Sequence, residues 1–273
     1  MKLRVLNSDI YYEIQGSGKP ILFIHGYYPD HRLMKGCFEP VFSKIDGWKR
    51  IYFDLPGMGK TEQNPRVRNA DEMLDVICGF IEKTIGEDDF LVAGESYGGY
   101  LARGVLNKLF NRVKGIFLLC PVVFPEYSKR NCPEFSKLFI DKAISISGKE
   151  KAYSEFKNMA IIETQSIWER YFRDIESGVS IADFGFLKKF QKTGYSFSFD
   201  PDDFPGTFNY PSCFLFGKQD HIVGYKDFWQ FYDKYPRATY AVLDAAGHNL
   251  QIESAQIFEG FVKNWIQRVR NIF

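Results

Sequence analysis

The 273-residue sequence has no apolar run approaching the roughly 18 residues that a membrane span needs. Its opening stretch, MKLRVLNSDIYYEIQGSG, lacks the apolar core of about 7–15 residues found in a secretory signal. No Asn-x-Ser/Thr acceptor occurs. The five cysteines, Cys37, Cys78, Cys120, Cys132 and Cys213, show no C-x-x-C spacing, and their number is odd. They read as free buried thiols rather than as a disulfide framework or a metal site. Together these absences predict a cytoplasmic protein without a bound metal. A net charge of +1 with no long basic stripe argues against nucleic-acid binding. There is no internal repeat or low-complexity tract, and nothing specifies an oligomeric state.

What is present is ordinary in bulk, with 45% apolar and 25% charged residues. The length suits one large α/β domain, or a core with a modest insertion, and is enough to bury a sizeable interior. Aromatics reach 17%, with 27 Phe and 16 Tyr, a surplus that points to an apolar cavity as well as a core.

Short β-rich runs alternate with longer helical patterns. Ile21–Ile24, Arg50–Phe53, Phe90–Ala93, Gly115–Leu119, Cys213–Phe216 and Tyr240–Leu243 are each too short for a helix and are followed by turn residues. Buried parallel strands have this character. Between them, Met73, Leu74, Ile77, Ile81 and Ile85 fall mostly on one helical face. Asn69 with Glu72 three residues later resembles a capping box. A last helix carries Ile257, Phe258, Phe261, Val262, Trp265 and Val269 on one stripe. Leu3–Leu6 and Ile10–Ile14 flank an Asn-Ser-Asp turn and predict an antiparallel hairpin at the sheet edge. The predicted fold class is α/β, a mostly parallel central sheet with helices on both faces. From about 122 to 205 no buried strand is evident, and patterns such as Phe135-Leu138-Phe139 and Tyr153-Phe156-Met159-Ala160 predict a helical insertion.

The sharpest local signal is Gly94-Glu95-Ser96-Tyr97-Gly98-Gly99, a G-x-S-x-G between a strand and a helix-compatible run. Such a turn projects the serine hydroxyl out of the sheet, and glycines two residues either side keep the space clear. A serine hydroxyl is a weak nucleophile and needs a base held by an acid. Of four histidines, His25, His31, His221 and His248, only His248 follows the last predicted strand and can reach the same sheet edge as Ser96. Asp220, just past another strand end, gives the chain order Ser96, Asp220, His248. Asp244 is the rival acid, on the strand that leads directly to the histidine. An oxyanion needs two preorganised donors. The backbone N–H groups of Tyr97 and of Tyr27, in His25-Gly26-Tyr27-Tyr28-Pro29, are the candidates, with His25 itself structural.

The His25-Gly26 turn, Asp54-Leu55-Pro56-Gly57-Met58-Gly59, the Ser96 turn, Gly217…Asp220 and Gly247-His248 together resemble the α/β-hydrolase superfamily over essentially the whole chain. That resemblance implies an acyl-enzyme mechanism without a cofactor and a helical cap over the site, with 1–121 and 206–273 as the hydrolase core and 122–205 as the cap. Dehalogenases and epoxide hydrolases of this layout use an Asp nucleophile, which Ser96 argues against. Proline iminopeptidases carry His-Gly-Gly-Pro-Gly where this chain has His25-Gly26-Tyr27-Tyr28-Pro29.

Gly57-Met58-Gly59-Lys60-Thr61 ends like a phosphate loop, but the spacing requires glycine at position 54, where Asp54 stands. Glu155, Glu163, Glu169 and Glu176 read as solvated helix faces. Tyr28, Trp168, Phe172, Phe184 and Phe186 are expected around an apolar acyl pocket. The expected function is a carboxylesterase-like serine hydrolase acting on a small-molecule ester. An aminopeptidase-like or carbon–carbon bond hydrolase of the same fold is the nearest alternative, and a non-catalytic small-molecule binding module is the alternative of another class.

Overall fold

The computed structural model describes residues 1–272. The strands of the main sheet are β1 (Lys2–Val5), β2 (Ser8–Gln15), β3 (Lys19–Ile24), β4 (Trp48–Phe53), β5 (Phe90–Glu95) and β6 (Val113–Leu119), then β9 (Ser212–Gly217) and β10 (Ala238–Leu243). A separate parallel pair, β7 (Phe139–Ile140) and β8 (Ile162–Glu163), lies between β6 and β9 in sequence. The helices are α1 (His31–Phe42), α2 (Ala70–Thr84), α3 (Tyr97–Lys108), α4 (Glu150–Met159), α5 (Gln165–Tyr171), α6 (Ser177–Val179), α7 (Phe184–Thr193), α8 (Leu250–Glu253) and α9 (Ala255–Arg270). A widened π-helical turn, Phe172–Glu176, joins α5 to α6.

The eight-stranded sheet runs β1-β2-β4-β3-β5-β6-β9-β10. Its first two strands are antiparallel, and β2 joins β4 antiparallel. All remaining pairs are parallel. The hairpin turn falls one residue earlier than the sequence suggested, with Leu6 and Asn7 in the left-handed region at φ 43° and 67° and Ser8 already paired. β5 and β9 are buried along their whole length because helices cover both faces. β10, expected as a buried strand, is an edge strand that is only half-buried.

Helix α2 begins where the capping pattern placed it. Asn69 Oδ1 accepts the Glu72 backbone N–H at 2.9 Å. The reciprocal half differs, since the Glu72 carboxylate accepts from the Arg68 backbone at 2.6 Å. Much of the aromatic surplus fills the core. Phe38 of α1 packs edge-on against Phe117 of β6 and Phe258 of α9, at ring separations of 5.3 and 5.2 Å.

The insertion between β6 and β9 holds α4 to α7. Phe135, Leu138 and Phe139 do not form a helix but lie exposed on irregular chain and on β7. Their backbone is instead engaged with the segment before α5: Leu138 donates to the Ile161 carbonyl at 2.9 Å, and Phe139 and Ile140 pair with β8, so the helical spacing is not realised. Both stems of the insertion meet on one buried side chain. Arg103 of α3 ion-pairs with Asp202 and donates to the Val122 carbonyl at 2.9 Å, while the Tyr235 hydroxyl donates to Asp202 at 3.0 Å.

Candidate active site

Ser96 stands between β5 and α3 with φ 53° and ψ −118°, a conformation that side chains rarely adopt. Neighbouring backbone holds it there. Its N–H donates to the Leu119 carbonyl at 3.0 Å, and its carbonyl accepts from Val122 at 2.9 Å. The flanking glycines are sterically required. A Cβ on Gly94 would run into the Gly98 carbonyl, and one on Gly98 would run into the carbonyls of Ile24 and His25.

Ser96, His248 and Asp220 form a hydrogen-bonded series. Ser96 Oγ lies 2.9 Å from His248 Nε2, and His248 Nδ1 lies 2.8 Å from Asp220 Oδ2. The second Asp220 oxygen accepts the backbone N–H groups of Ile222 and Val223 at 2.9 and 3.0 Å, which fixes the carboxylate. Asp220 is fully buried. Its loop is tied to the histidine loop, since the Gln219 N–H donates to Ala246 and the Gln219 amide oxygen accepts from it. Glu253 accepts the N–H of Gly247 and of Ile161, both at 2.7 Å, binding the histidine loop to the insertion. Asp244 stands apart on the surface, hydrogen-bonded to Gln219 Nε2 at 2.8 Å.

Burial works against a charged His248, but the Asp220 carboxylate outweighs it, and with Glu95 raises the imidazole to about 9. Glu95, directly before Ser96, is a site residue that the sequence motifs do not single out. It is buried, and its Oε1 lies 3.4 Å from His248 Nε2. Burial first, and the Asp220 charge second, push its carboxyl up to about 7. The signal for it was a charged residue closing an otherwise apolar strand, Phe90-Leu91-Val92-Ala93-Gly94-Glu95.

The loop after β3 approaches from the other side. His25 is buried, with Nδ1 donating to the Gly26 carbonyl at 2.7 Å and Nε2 accepting the Leu55 N–H at 3.0 Å. It staples this loop to the Asp54–Gly59 turn. A Cβ on Gly26 would run into the Glu95 carboxyl, so glycine lets the loop close in. Neither the Tyr27 nor the Tyr97 backbone N–H is taken up by a hydrogen bond to another described residue. Tyr28 holds φ 82°, a strained turn just after Tyr27.

Ser96, Glu95, His248 and Asn249 open into a cavity of about 1050 Å³ beneath the insertion. Tyr28, Phe172 and Phe184 line it, as does Tyr171. Trp168 and Phe186, expected in the pocket, do not. Trp168 packs inside the insertion against Tyr153 and Phe156, and Phe186 covers Gly57 and packs on Phe190. The insertion acids divide. Glu155 on α4, at the cavity rim, and Glu169, bonded to Gln165, are exposed and fit solvated helix faces. Glu176 is half-buried against the cavity, and Glu163 is buried on β8, paired with Lys137.

Two groups of metal-ligand type occur among the described residues, Cys120 with Asp220 and His248, and Asp30 with His31 and Asp54. In each the histidine is already hydrogen-bonded to an aspartate. Burial pushes the Cys120 thiol far up, against the thiolate a metal would require.

A family profile described as the alpha/beta hydrolase fold matches residues 19–255. The chain belongs to this family. An alpha/beta superfamily hydrolase from Oenococcus oeni is 29% identical, with 96% of each chain covered and a TM-score of 0.89. A thermophilic esterase from Thermogutta terrifontis is 19% identical, with 98% of each chain covered and a TM-score of 0.71. A meta-cleavage product hydrolase from Pseudomonas fluorescens is 18% identical, covers 98% of this chain and 97% of its own, and gives a TM-score of 0.70. The last two likenesses speak to the fold alone. Among the described residues no helix is long and apolar enough to cross a membrane.

Proposed function

We propose that the protein is a serine hydrolase that cleaves a small ester with a largely apolar acyl group through an acyl-enzyme intermediate. The observation that carries this reading is the hydrogen-bonded series Ser96, His248, Asp220 opening onto one cavity. Ser96 Oγ attacks the carbonyl carbon while His248 Nε2 takes its proton. Asp220 holds the imidazole tautomer and stabilises the imidazolium. The backbone N–H groups of Tyr27 and Tyr97 receive the oxyanion. As the tetrahedral adduct collapses, His248 returns the proton to the leaving alkoxide. A water then gives its proton to His248 and attacks the acyl carbon; as that adduct collapses the bond to Ser96 Oγ breaks, His248 passes the proton to Oγ, and the acid leaves.

The scheme needs a small-molecule substrate and no cofactor. The five unpaired thiols suit a cytoplasmic setting. Apolar cavity residues, including Leu33, Ile175 and Val179, suit the acyl chain. Fluorophosphonate labelling and turnover of short-chain phenyl esters test the reading. Both are expected in the wild type and lost in Ser96→Ala. Unchanged ester turnover in Ser96→Ala would overturn it. A panel adding aminoacyl amides and vinylogous diketones separates ester cleavage from amide and carbon–carbon cleavage.

A further inference from the structure

The acyl-transfer scheme leaves one ionisable side chain at the reacting atoms without a task. Glu95 is only 2% exposed, yet it lines the cavity together with Ser96 and His248. Its carboxyl is held between two neighbours. Oε2 lies against Gly26, where a Cβ would run into it. Oε1 lies 3.4 Å from His248 Nε2. Among the described residues that histidine is its one ionic partner, and no lysine or arginine neutralises it. Burying a carboxyl is costly, and an apolar residue would end β5 without that cost.

The placement bears on the second half of the cycle. A nucleophile that hands its proton to Nε2 must come within about 2.6–3.2 Å of that atom. Ser96 Oγ does so in the free protein, at 2.9 Å. Once acylated, Oγ has no proton to give, and the attacking molecule takes over the hydrogen bond to Nε2. Its oxygen can then also reach Glu95 Oε1, because the two acceptors are only 3.4 Å apart. Water has two O–H groups, one for Nε2 and one for the carboxyl. An alcohol has a single O–H. With that committed to Nε2, an alcohol has nothing to donate to Glu95.

We propose that Glu95 orients the water that releases the acyl group, and so commits the acyl-enzyme to hydrolysis over transfer to alcohols. This rests on the serine-hydrolase reading. The carboxyl itself takes no proton. The water's first proton passes to Nε2 as its oxygen bonds to the acyl carbon. Its second hydrogen, held by Glu95, stays on that oxygen and leaves in the carboxylic acid. The bond from the acyl carbon to Ser96 Oγ breaks, and Oγ recovers the proton from Nε2. The gain comes from holding the nucleophile in its attacking geometry. The charge of Glu95 also acts on the imidazole, but that effect is the same for every nucleophile that His248 deprotonates.

The test uses para-nitrophenyl butanoate in buffer containing methanol. Butanoic acid and methyl butanoate then arise from one acyl-enzyme, and their ratio measures the choice of nucleophile. In Glu95→Leu the ratio of methyl ester to acid is expected to rise by about tenfold over the wild type. Glu95→Gln keeps the shape and one acceptor oxygen, and its ratio is expected to fall between the two. Because the ratio is set within the acyl-enzyme, neither a smaller folded fraction nor a shifted imidazole moves it. A ratio within about twofold of the wild type in Glu95→Leu would overturn the proposal. If thermal melting shows that Glu95→Leu does not fold, Glu95→Gln decides by the same criterion. Fluorophosphonate labelling of the wild type keeps the two readings apart. No labelling sinks the serine hydrolase, whereas labelling with an unchanged product ratio sinks only the role of Glu95.

Discussion

Glu95 Oε1 lies 3.4 Å from His248 Nε2, the same nitrogen that faces the Ser96 hydroxyl at 2.9 Å. One imidazole nitrogen thus faces both a hydroxyl, which it would deprotonate in the proposed mechanism, and a carboxyl whose negative charge favours the imidazolium. Two groups coupled this closely titrate as a pair. Asp220 and Arg130 also act on the pair, Asp220 raising the imidazole and Arg130 lowering it.

Replacing Glu95 by Gln removes a negative charge and keeps the shape. The imidazolium then releases its proton more readily, so the neutral base exists at lower pH. The acid-side midpoint of fluorophosphonate labelling is expected to move down by about one pH unit or more. A midpoint unchanged in Glu95→Gln would show that the carboxyl has no hold on the base.

Two glycines should respond to the same substitution with opposite signs. Gly98→Ala drives a Cβ into the fixed carbonyls of Ile24 and His25 at the end of β3, a backbone clash that no side-chain rotation relieves. A loss of about 1–3 kcal/mol in urea unfolding is expected, together with loss of labelling. Gly260 in α9 has open space around its missing Cβ. Gly260→Ala should gain about 0.5–1 kcal/mol by restricting the unfolded chain and favouring the helix. The comparison separates crowding at the Ser96 turn from any general effect of the methyl group.

His31 supplies a pH dependence away from the cavity. Its Nδ1 donates to Asp54 at 2.7 Å, and its Nε2 lies 3.2 Å from Glu13. Burial opposes the charge, but the bond to Asp54 and the nearby carboxylates outweigh it and raise the imidazole above its ordinary value. A raised native value means that the stabilisation is complete below the unfolded value of about 6.5 and fades as pH rises through the native one. The urea midpoint should fall as pH rises above about 6.5 and through the raised native value in the wild type, and His31→Gln should lack this portion of the slope. Equal slopes in both proteins would assign the dependence to another group.

Legibility in the sequence followed the strength of local constraint. The Ser96 turn was readable because its geometry admits few residues at positions 94 and 98. The strands were readable because burial on two faces leaves only apolar runs. β10 looked the same in sequence, but edge position is a property of the whole sheet, so its half-exposure was invisible. Trp168 and Phe186 show the limit for aromatics, since composition does not say whether a ring faces a cavity or a neighbouring helix. Phe135, Leu138 and Phe139 carried helical spacing, but the pairing of β7 with β8, a contact between segments over twenty residues apart, won over it. Glu95 adjoins a residue with a stronger motif, and the histidine it faces comes from a segment far along the chain.

Arg103 has a consequence for how this architecture diversifies. It lies seven residues beyond Ser96 and holds Val122 and Asp202, one at each root of the insertion. Entry to and exit from the insertion are thus held by the helix that follows Ser96, so a change in the length of the chain between them leaves both ends tied to the same side chain. A chimera cut outside Val122 and Asp202 would sever the clamp from its anchor, so the natural splice points lie just inside it.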